Sequence, residues 1–257
     1  MTVPQRHLRL VTVVAAGALA LVPAAAPAQA GPDGLAVLRR MRSAYDGKWY
    51  PTLTFVQRTI VSRAGSTDTT TWYESVSGTR LRIDVGNPAR GNGQLATPES
   101  TYAVRNGAVV RTLTPGNPFL PLIMGVYLKP VEETVRDLAL FGFDASKATR
   151  GTYEGAPVTI VGASSPSDTT SAQFWVDDRN LVLRVMGAVK GAEGIDVHIG
   201  GYERVGQAWL GTRVRILIGG RTQTEEYSDW KTNVALSPDL FDATRWMTAP
   251  HWVPKTP

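Results

Sequence analysis

Two strands joined by a tight turn can be read from one segment, Leu210-Gly-Thr-Arg-Val-Arg-Ile-Leu-Ile-Gly-Gly-Arg-Thr-Gln-Thr-Glu-Glu-Tyr-Ser-Asp-Trp230. Its first half is rich in β-branched and aliphatic residues, and Gly219-Gly220 suits a two-residue hairpin turn. Strands joined by so short a turn run antiparallel, because a parallel connection needs a crossover of about a dozen residues or more. The segment therefore predicts an antiparallel sheet.

Similar signals recur on both sides of the chain's middle. In residues 80–85, apolar residues alternate with Arg80, Arg82 and Asp84, which predicts one apolar face and one charged face in water. Asn106-Gly107 marks a further hairpin. In all we predict about ten or eleven strands. They cover residues 52–61, 69–77, 80–85, 102–104, 108–113, 157–163, 171–176, 181–187, 195–199, 210–218 and 221–230, with residues 86–100 as a loop.

Helical patterns occur at the start and in the middle of the chain. Asp33 is a suitable N-cap for a short amphipathic helix that ends at Asp46-Gly47. Pro130 favours the start of a second helix that runs to about Leu140. Between the two strand-rich halves, Phe119–Leu128 is almost wholly apolar but is interrupted by Pro121 and Gly125. Residues 142–150 are expected to close this helical insertion.

The N-terminus has the pattern of a cleaved secretory signal peptide. Basic residues precede an apolar run from Leu10 to Val22, and Ala28-Gln-Ala30 is typical of a cleavage site. The run is shorter than the roughly 18–20 residues that span a bilayer. We expect residues 1–30 to be removed, residues 31–247 to form one domain, and residues 248–257 to be a loose, proline-rich tail. The mature protein would then be periplasmic or secreted.

Composition and motifs argue against several classes of function. The chain has no cysteine, which excludes thiol catalysis and thiolate metal sites, and its net charge of +5 is not clustered, so nucleic acid is not an expected partner. A nucleophile elbow, a His-Glu-x-x-His zinc motif and a phosphate-binding glycine loop are all missing from the sequence. We therefore expect no catalytic residue, no metal, no cofactor and no enzymatic activity.

The remaining polar residues have ordinary structural interpretations. His198 shares a strand face with Asp196 and is expected to face solvent, and His251 lies in the tail. Asp177-Asp178-Arg179-Asn180 is expected to form a turn, because it lacks the glycine and the distant glutamate of a calcium loop. Glu225 and Glu226 are neighbours on a strand, so they point to opposite faces and cannot line one site together.

Four stretches follow the predicted signal peptide in a characteristic order. They are Tyr50-Pro-Thr-Leu-Thr-Phe-Val-Gln-Arg-Thr59, Gly78-Thr-Arg-Leu-Arg-Ile-Asp84, Gly116-Asn-Pro-Phe-Leu-Pro-Leu-Ile123 and Leu236-Ser-Pro-Asp-Leu-Phe241. Together they resemble the LolA-like superfamily of outer-membrane lipoprotein carriers and lipoprotein-sorting proteins. The resemblance implies an α+β, mostly β fold. Its unclosed antiparallel half-barrel would have a concave face covered by the N-terminal helix and the helical insertion, around an apolar cavity that accepts acyl chains.

The expected function is to hold a hydrophobic ligand, an acyl lipid or a lipidated protein, in a carrier or sorting role. Strand parity and the resemblance indicate nine ligand contacts: Leu53, Phe55, Leu81, Ile83, Tyr102, Phe119, Leu122, Ile123 and Phe174. Phe119–Leu128 would be a movable cover or simply buried core. The alternative is an envelope protein-interaction or sensor module, which has no ligand cavity and binds a membrane-protein partner. The sequence leaves the oligomeric state open.

Overall fold

One antiparallel sheet of thirteen strands organises the chain. In the computed structural model, which describes residues 33–190 and 194–253, the strands cross the sheet in the order β6-β5-β4-β3-β2-β1-β13-β12-β11-β10-β9-β8-β7. They are β1 Thr52–Arg63, β2 Ser66–Ser77, β3 Arg80–Val85, β4 Gly93–Ala96, β5 Thr101–Arg105, β6 Ala108–Leu113, β7 Ala148–Tyr153, β8 Ala156–Val161, β9 Gln173–Val176, β10 Val182–Gly187, β11 Ile195–Val205, β12 Ala208–Ile218 and β13 Arg221–Thr232. The sheet is an unclosed half-barrel, as predicted. The predicted signal peptide lies outside the described residues.

The strand order explains why helices cover the concave face. The chain enters at the centre with β1, proceeds strand by strand to the β6 edge, and resumes at the opposite edge with β7. The connection between these two edges must cross the sheet, and it carries a π-helical turn at Pro121–Gly125, α2 at Val126–Leu128 and α3 at Val131–Leu140. With α1 at Gly34–Ala44, these elements pack on the main hydrophobic core.

Local sequence signals account for the turns and the helix ends. Asn106 and Gly107 have φ angles of 49° and 79°, and Gly219 and Gly220 have φ angles of 53° and 71°, so both predicted hairpins form with positive φ at each turn position. The Asp33 carboxylate accepts a hydrogen bond of 3.0 Å from the Leu35 N–H at the start of α1. Among residues 33–190 and 194–253, no helix combines the length and hydropathy needed to cross a membrane.

Two strands were not predicted. β4 lies within residues 86–100, which were predicted to be loop. β7 begins at Ala148, inside residues 142–150, which were expected to close the helical insertion, and continues to Tyr153. β4 has only four residues beside glycine- and proline-rich sequence, and β7 has the mixed sequence Ala-Thr-Arg-Gly-Thr-Tyr. Neither segment has a clear period-two pattern, so each is a strand because its neighbours offer a hydrogen-bonding edge.

Most of the charged face of β3 is not in water, contrary to the prediction, because Arg82 and Asp84 are buried and only Arg80 is exposed. Arg82 and Asp84 have side chains that are only 2% and 0% exposed. Two guanidinium nitrogens of Arg82 donate to the Asp84 carboxylate at 2.7 and 2.9 Å, and the guanidinium lies 3.9 Å from the centre of the Trp246 ring. Two 3₁₀ turns, Pro238–Phe241 and Ala243–Arg245, and the residues after them cover this face.

The C-terminal tail is packed against the sheet as far as Val253. This differs from the prediction, which made the chain loose from residue 248 onward. The Trp252 indole N–H donates to Ser75 Oγ at 2.8 Å. His251 Nδ1 accepts a hydrogen bond from the Val253 N–H, so Nε2 carries the proton and donates to Asp84 Oδ2 at 2.9 Å. These bonds hold the tail against the convex face of β2 and β3. The last residues, 254–257, lie outside the described residues.

Candidate functional site

A cavity of about 340 Å³ lies between the concave face and the segment that covers it. Residues from β1 to β4 and from β10 to β13 line it from the sheet side, and residues between Asn117 and Tyr127 line it from the other side. Most of these side chains are aliphatic or aromatic. The concave face is therefore not completely filled by the protein's own side chains.

Seven of the nine predicted ligand contacts line this cavity. They are Leu53, Phe55, Leu81, Ile83, Phe119, Leu122 and Ile123. The four strand residues alternate with residues that face the other way, as period-two parity requires. The structure brings these seven residues together around one cavity, and their contact with a ligand remains a prediction.

The other two predicted contacts lie elsewhere. Tyr102 is paired with Leu95 across β4 and β5, and both belong to the smaller cluster on the convex face. Phe174 is completely buried in the main core, with its ring 5.9 Å from that of Phe143 in an edge-to-face arrangement. Near β9 the concave face is filled by side chains from the end of the helical insertion, so Phe174 is a core residue.

The covering segment is helical and is anchored at its C-terminal end. Pro121 and Gly125 disfavour a regular α-helix, and the chain forms a π-helical turn between them. The Tyr127 ring stacks on Trp49 with centroids 3.8 Å apart, and its hydroxyl donates to the Asn180 carbonyl at 2.9 Å. Burial raises the pKa of Tyr127 well above 10.0, so this hydroxyl stays a donor. Whether the segment moves as a cover remains a prediction.

A polar stripe, which the sequence pattern does not predict, crosses the apolar lining. It consists of Glu74 on β2, Gln57 on β1, and Gln223, Glu225 and Tyr227 on β13. Glu225 accepts hydrogen bonds from Gln223 Nε2 at 2.6 Å and from the Tyr227 hydroxyl. Within residues 33–190 and 194–253, Glu74 Oε1 has no hydrogen-bond partner.

The alternation of side chains along each strand could have indicated part of this polar stripe. Glu74 has the same parity as Trp72 and Val76, which also line the cavity. Glu225 faces the cavity, whereas Glu226 faces away and accepts a hydrogen bond of 2.9 Å from Arg58. The predicted separation of Glu225 from Glu226 is therefore confirmed, but the stripe combines acids that lie far apart in the sequence.

Both carboxyl groups of the stripe have raised pKa values. Burial raises the pKa of the Glu74 carboxyl well above 4.5, and the nearby Glu225 raises it further. Burial also raises the pKa of Glu225, although hydrogen bonds from Tyr227 and Gln223 oppose this effect. Among the cavity-lining residues in the described part of the chain, none is Lys, Arg or His. The site therefore has acidic groups without a compensating cation.

His198 lies on the opposite side of the sheet, partly exposed as expected. Its Nδ1 lies 2.8 Å from the Tyr153 hydroxyl and its Nε2 lies 3.2 Å from Asp196. Arg184 also binds the Asp196 carboxylate, through two bonds of 2.7 Å. Hydrogen bonds to neighbouring strand residues thus orient the imidazole, which is the arrangement of a structural histidine.

The predicted turn at Asp177 is confirmed. One oxygen of its carboxylate accepts a hydrogen bond from the Leu181 N–H, and the other accepts one from Arg179, each at 2.8 Å. Within residues 33–190 and 194–253, His, Asp and Glu side chains form no group of three or more that could hold a metal ion.

Sheet and cavity together define an unclosed half-barrel protein with an internal apolar cavity. No protein-family model matches the chain, and no curated protein does. Solved structures do resemble it. A DUF1329 family protein from Desulfovibrio piger has a TM-score of 0.56 at 15% identity, over 81% of this chain and 95% of that protein.

Two further structures extend the comparison. A domain from Vibrio parahaemolyticus, described as an outer membrane lipoprotein-sorting protein domain, has a TM-score of 0.53 at 12% identity, over 83% of this chain and 98% of that domain. A LolA superfamily protein from Nitrosomonas europaea has a TM-score of 0.50 at 12% identity, over 79% of this chain and 96% of that protein. The chain has a LolA-like fold, as its sequence motifs predict.

Proposed function

We propose that this protein binds an amphiphile with an acyl or alkyl chain in the cavity of its half-barrel. The observation that carries the proposal is the unfilled volume of about 340 Å³ beneath an apolar covering segment. This volume lies within the range of about 300–1,000 Å³ that is usual for small-molecule sites. An empty apolar cavity costs packing free energy, and a hydrocarbon chain would recover it.

The protein would then act as a carrier or sorting protein in the cell envelope, without catalysis. Its ligand would be an acyl lipid or a lipidated protein, and a membrane protein would be the partner for handover. The predicted signal peptide and the name of the Vibrio parahaemolyticus domain support this assignment. The alternative from the sequence, an interaction module without a cavity, fits the unfilled concave face less well.

The direct test is mass spectrometry of an organic extract from the mature protein, purified natively without detergent. We expect acyl lipid in the extract at a stoichiometry near that of the protein. An extract without lipid from folded protein, together with failure to take up added lipid, would count against the proposal.

Leu122→Asp should abolish lipid retention, because it places a charge at a completely buried position in the cavity lining. Ile123→Asp, at a half-buried position in the same lining, should have the same effect with less risk to folding. Leu140→Asp is the matched control, since Leu140 is 52% exposed on α3. Lipid per folded protein is the measured quantity. If Leu122→Asp and Ile123→Asp retained as much lipid as Leu140→Asp, the cavity would not be the binding site.

His198→Ala should leave lipid retention unchanged, because His198 lies on the other side of the sheet from the cavity. The same mass-spectrometric comparison tests it. A large loss in a folded His198→Ala protein would show that the convex face takes part in function.

A further inference from the structure

One carboxyl oxygen in the polar stripe finds no partner in the part of the chain that the structure describes. Glu74 is 4% exposed and lines the cavity, and its Oε1 makes no hydrogen bond there, whereas Glu225 accepts bonds from Gln223 and Tyr227. A buried polar group without a partner costs free energy, which a hydrogen-bonding ligand would recover. The unpartnered atom therefore indicates where the polar end of a ligand would be held.

The surroundings of Glu74 favour its protonated form. Titratable groups face it from β13, namely Glu225 and Tyr227, and both would repel a negative charge on Glu74 if they were ionised. The neighbouring strands β1 and β3 contribute the uncharged Phe55 and Ile83. Because burial raises the pKa of Glu74 and no basic residue lines the cavity among the described residues, the neutral carboxyl is favoured.

A neutral carboxyl has different recognition chemistry from a carboxylate. It donates one hydrogen bond through its O–H and accepts others, as an alcohol or an amide does. Three tryptophans in the cavity lining, Trp49, Trp72 and Trp230, also have buried indole N–H groups that find no acceptor among the described residues. The unsatisfied groups are mostly donors, so a ligand with acceptor oxygens complements them.

We propose, on the basis of the function proposed above, that protonated Glu74 hydrogen bonds the uncharged polar end of the bound amphiphile, which is a hydroxyl, ester or amide. An anionic end would lose its hydration beside two acidic side chains and gain no cation. An ammonium end would require Glu74 to ionise inside an apolar cavity. The cavity therefore selects neutral amphiphiles over charged ones with the same hydrocarbon chain.

The test compares three probes of equal chain length: monolaurin, laurate and dodecylamine. Each is titrated, below its micelle-forming concentration, into the mature protein after removal of co-purified lipid. We expect monolaurin to bind most tightly and laurate to bind at least about tenfold more weakly, the range that an unpaired buried polar group produces. Tightest binding of laurate or dodecylamine would overturn the inference and leave the proposed function intact. Failure of all three to bind would overturn both.

Two variants separate a neutral from a charged role for Glu74. Glu74→Gln keeps the shape and both the donor and the acceptor, so the preference for monolaurin over laurate should persist. Glu74→Leu removes both, and the preference should fall by about tenfold. Glu203→Leu, at an exposed position of β11 outside the cavity lining, is the control and should change nothing. If Glu74→Gln lost the preference as fully as Glu74→Leu, the neutral role would be wrong.

The pH dependence gives an independent readout that does not require the leucine variant to fold. Because the pKa of Glu74 is raised, its donor is present at low pH and is lost as the pH rises through that raised value. Monolaurin binding by the unmodified protein should therefore weaken as the pH rises, while Glu74→Gln should show a smaller change. Equal pH profiles for the two proteins would contradict the inference.

Discussion

Asp84→Ala is expected to lower the free energy of unfolding by about 3–5 kcal/mol, the cost of leaving a buried charge without its partner. The Arg82 guanidinium donates two hydrogen bonds to Asp84 and is only 2% exposed, so it would remain buried and uncompensated. The same change removes the acceptor for His251, which holds the tail on the convex face. Urea denaturation of the mature protein measures the effect.

Two controls make this prediction specific. The double variant Arg82→Met with Asp84→Leu should cost less than Asp84→Ala alone, because it removes both charges and leaves apolar side chains. Asp239→Ala breaks the exposed ion pair with Arg245, at 3.2 Å, and should cost less than about 1 kcal/mol. A loss of less than about 1 kcal/mol for Asp84→Ala would mean that the cluster does not hold the C-terminal segment in place.

Acid should weaken the same cluster. Burial alone would raise the pKa of Asp84, but hydrogen bonds from His251 and Arg82 outweigh burial and hold the pKa below 3.8. A carboxyl with a lowered pKa stabilises the folded state above its ordinary pKa, and this stabilisation is lost as the pH falls through the lowered value. Asp84→Ala should therefore reduce the acid dependence of stability along with the stability itself.

Phe174→Ala is expected to lower the free energy of unfolding by about 3–5 kcal/mol and to leave lipid retention by the folded protein unchanged. Phe174 is completely buried and packs edge-to-face on Phe143, so truncation opens a new hole in the filled part of the core. Strand parity and the family resemblance predict Phe174 to be a ligand contact. The Phe174→Ala variant therefore distinguishes a core role from a binding role.

Phe119→Ala is the matched comparison. Phe119 is half-buried and lines the cavity, so its truncation should cost less stability and should reduce lipid retention. Thermal unfolding and lipid per folded protein are measured for both variants. If Phe174→Ala lost lipid while Phe119→Ala kept it, the assignment of these two residues would be reversed.

Local structure and antiparallel connectivity follow from the order of the amino acids alone. Asn106-Gly107 and Gly219-Gly220 set their hairpins through backbone angles that depend on the residues at the turn. Period-two alternation placed Leu53, Phe55, Leu81 and Ile83 on one face, and they do line the cavity. These inferences succeed because a turn or a strand face depends on residues close together in the chain.

Contacts between distant segments set which face of the sheet is covered and where the cavity stays open. Parity separates two faces of a strand but does not show that Arg82 and Asp84 would be buried by a tail whose His251 lies 167 residues from Asp84. It does not bring Glu74 on β2 close to Glu225 on β13, because that proximity depends on the pairing of β1 with both strands. Burial and charge state at these sites follow from contacts between distant segments, and only the folded chain sets them.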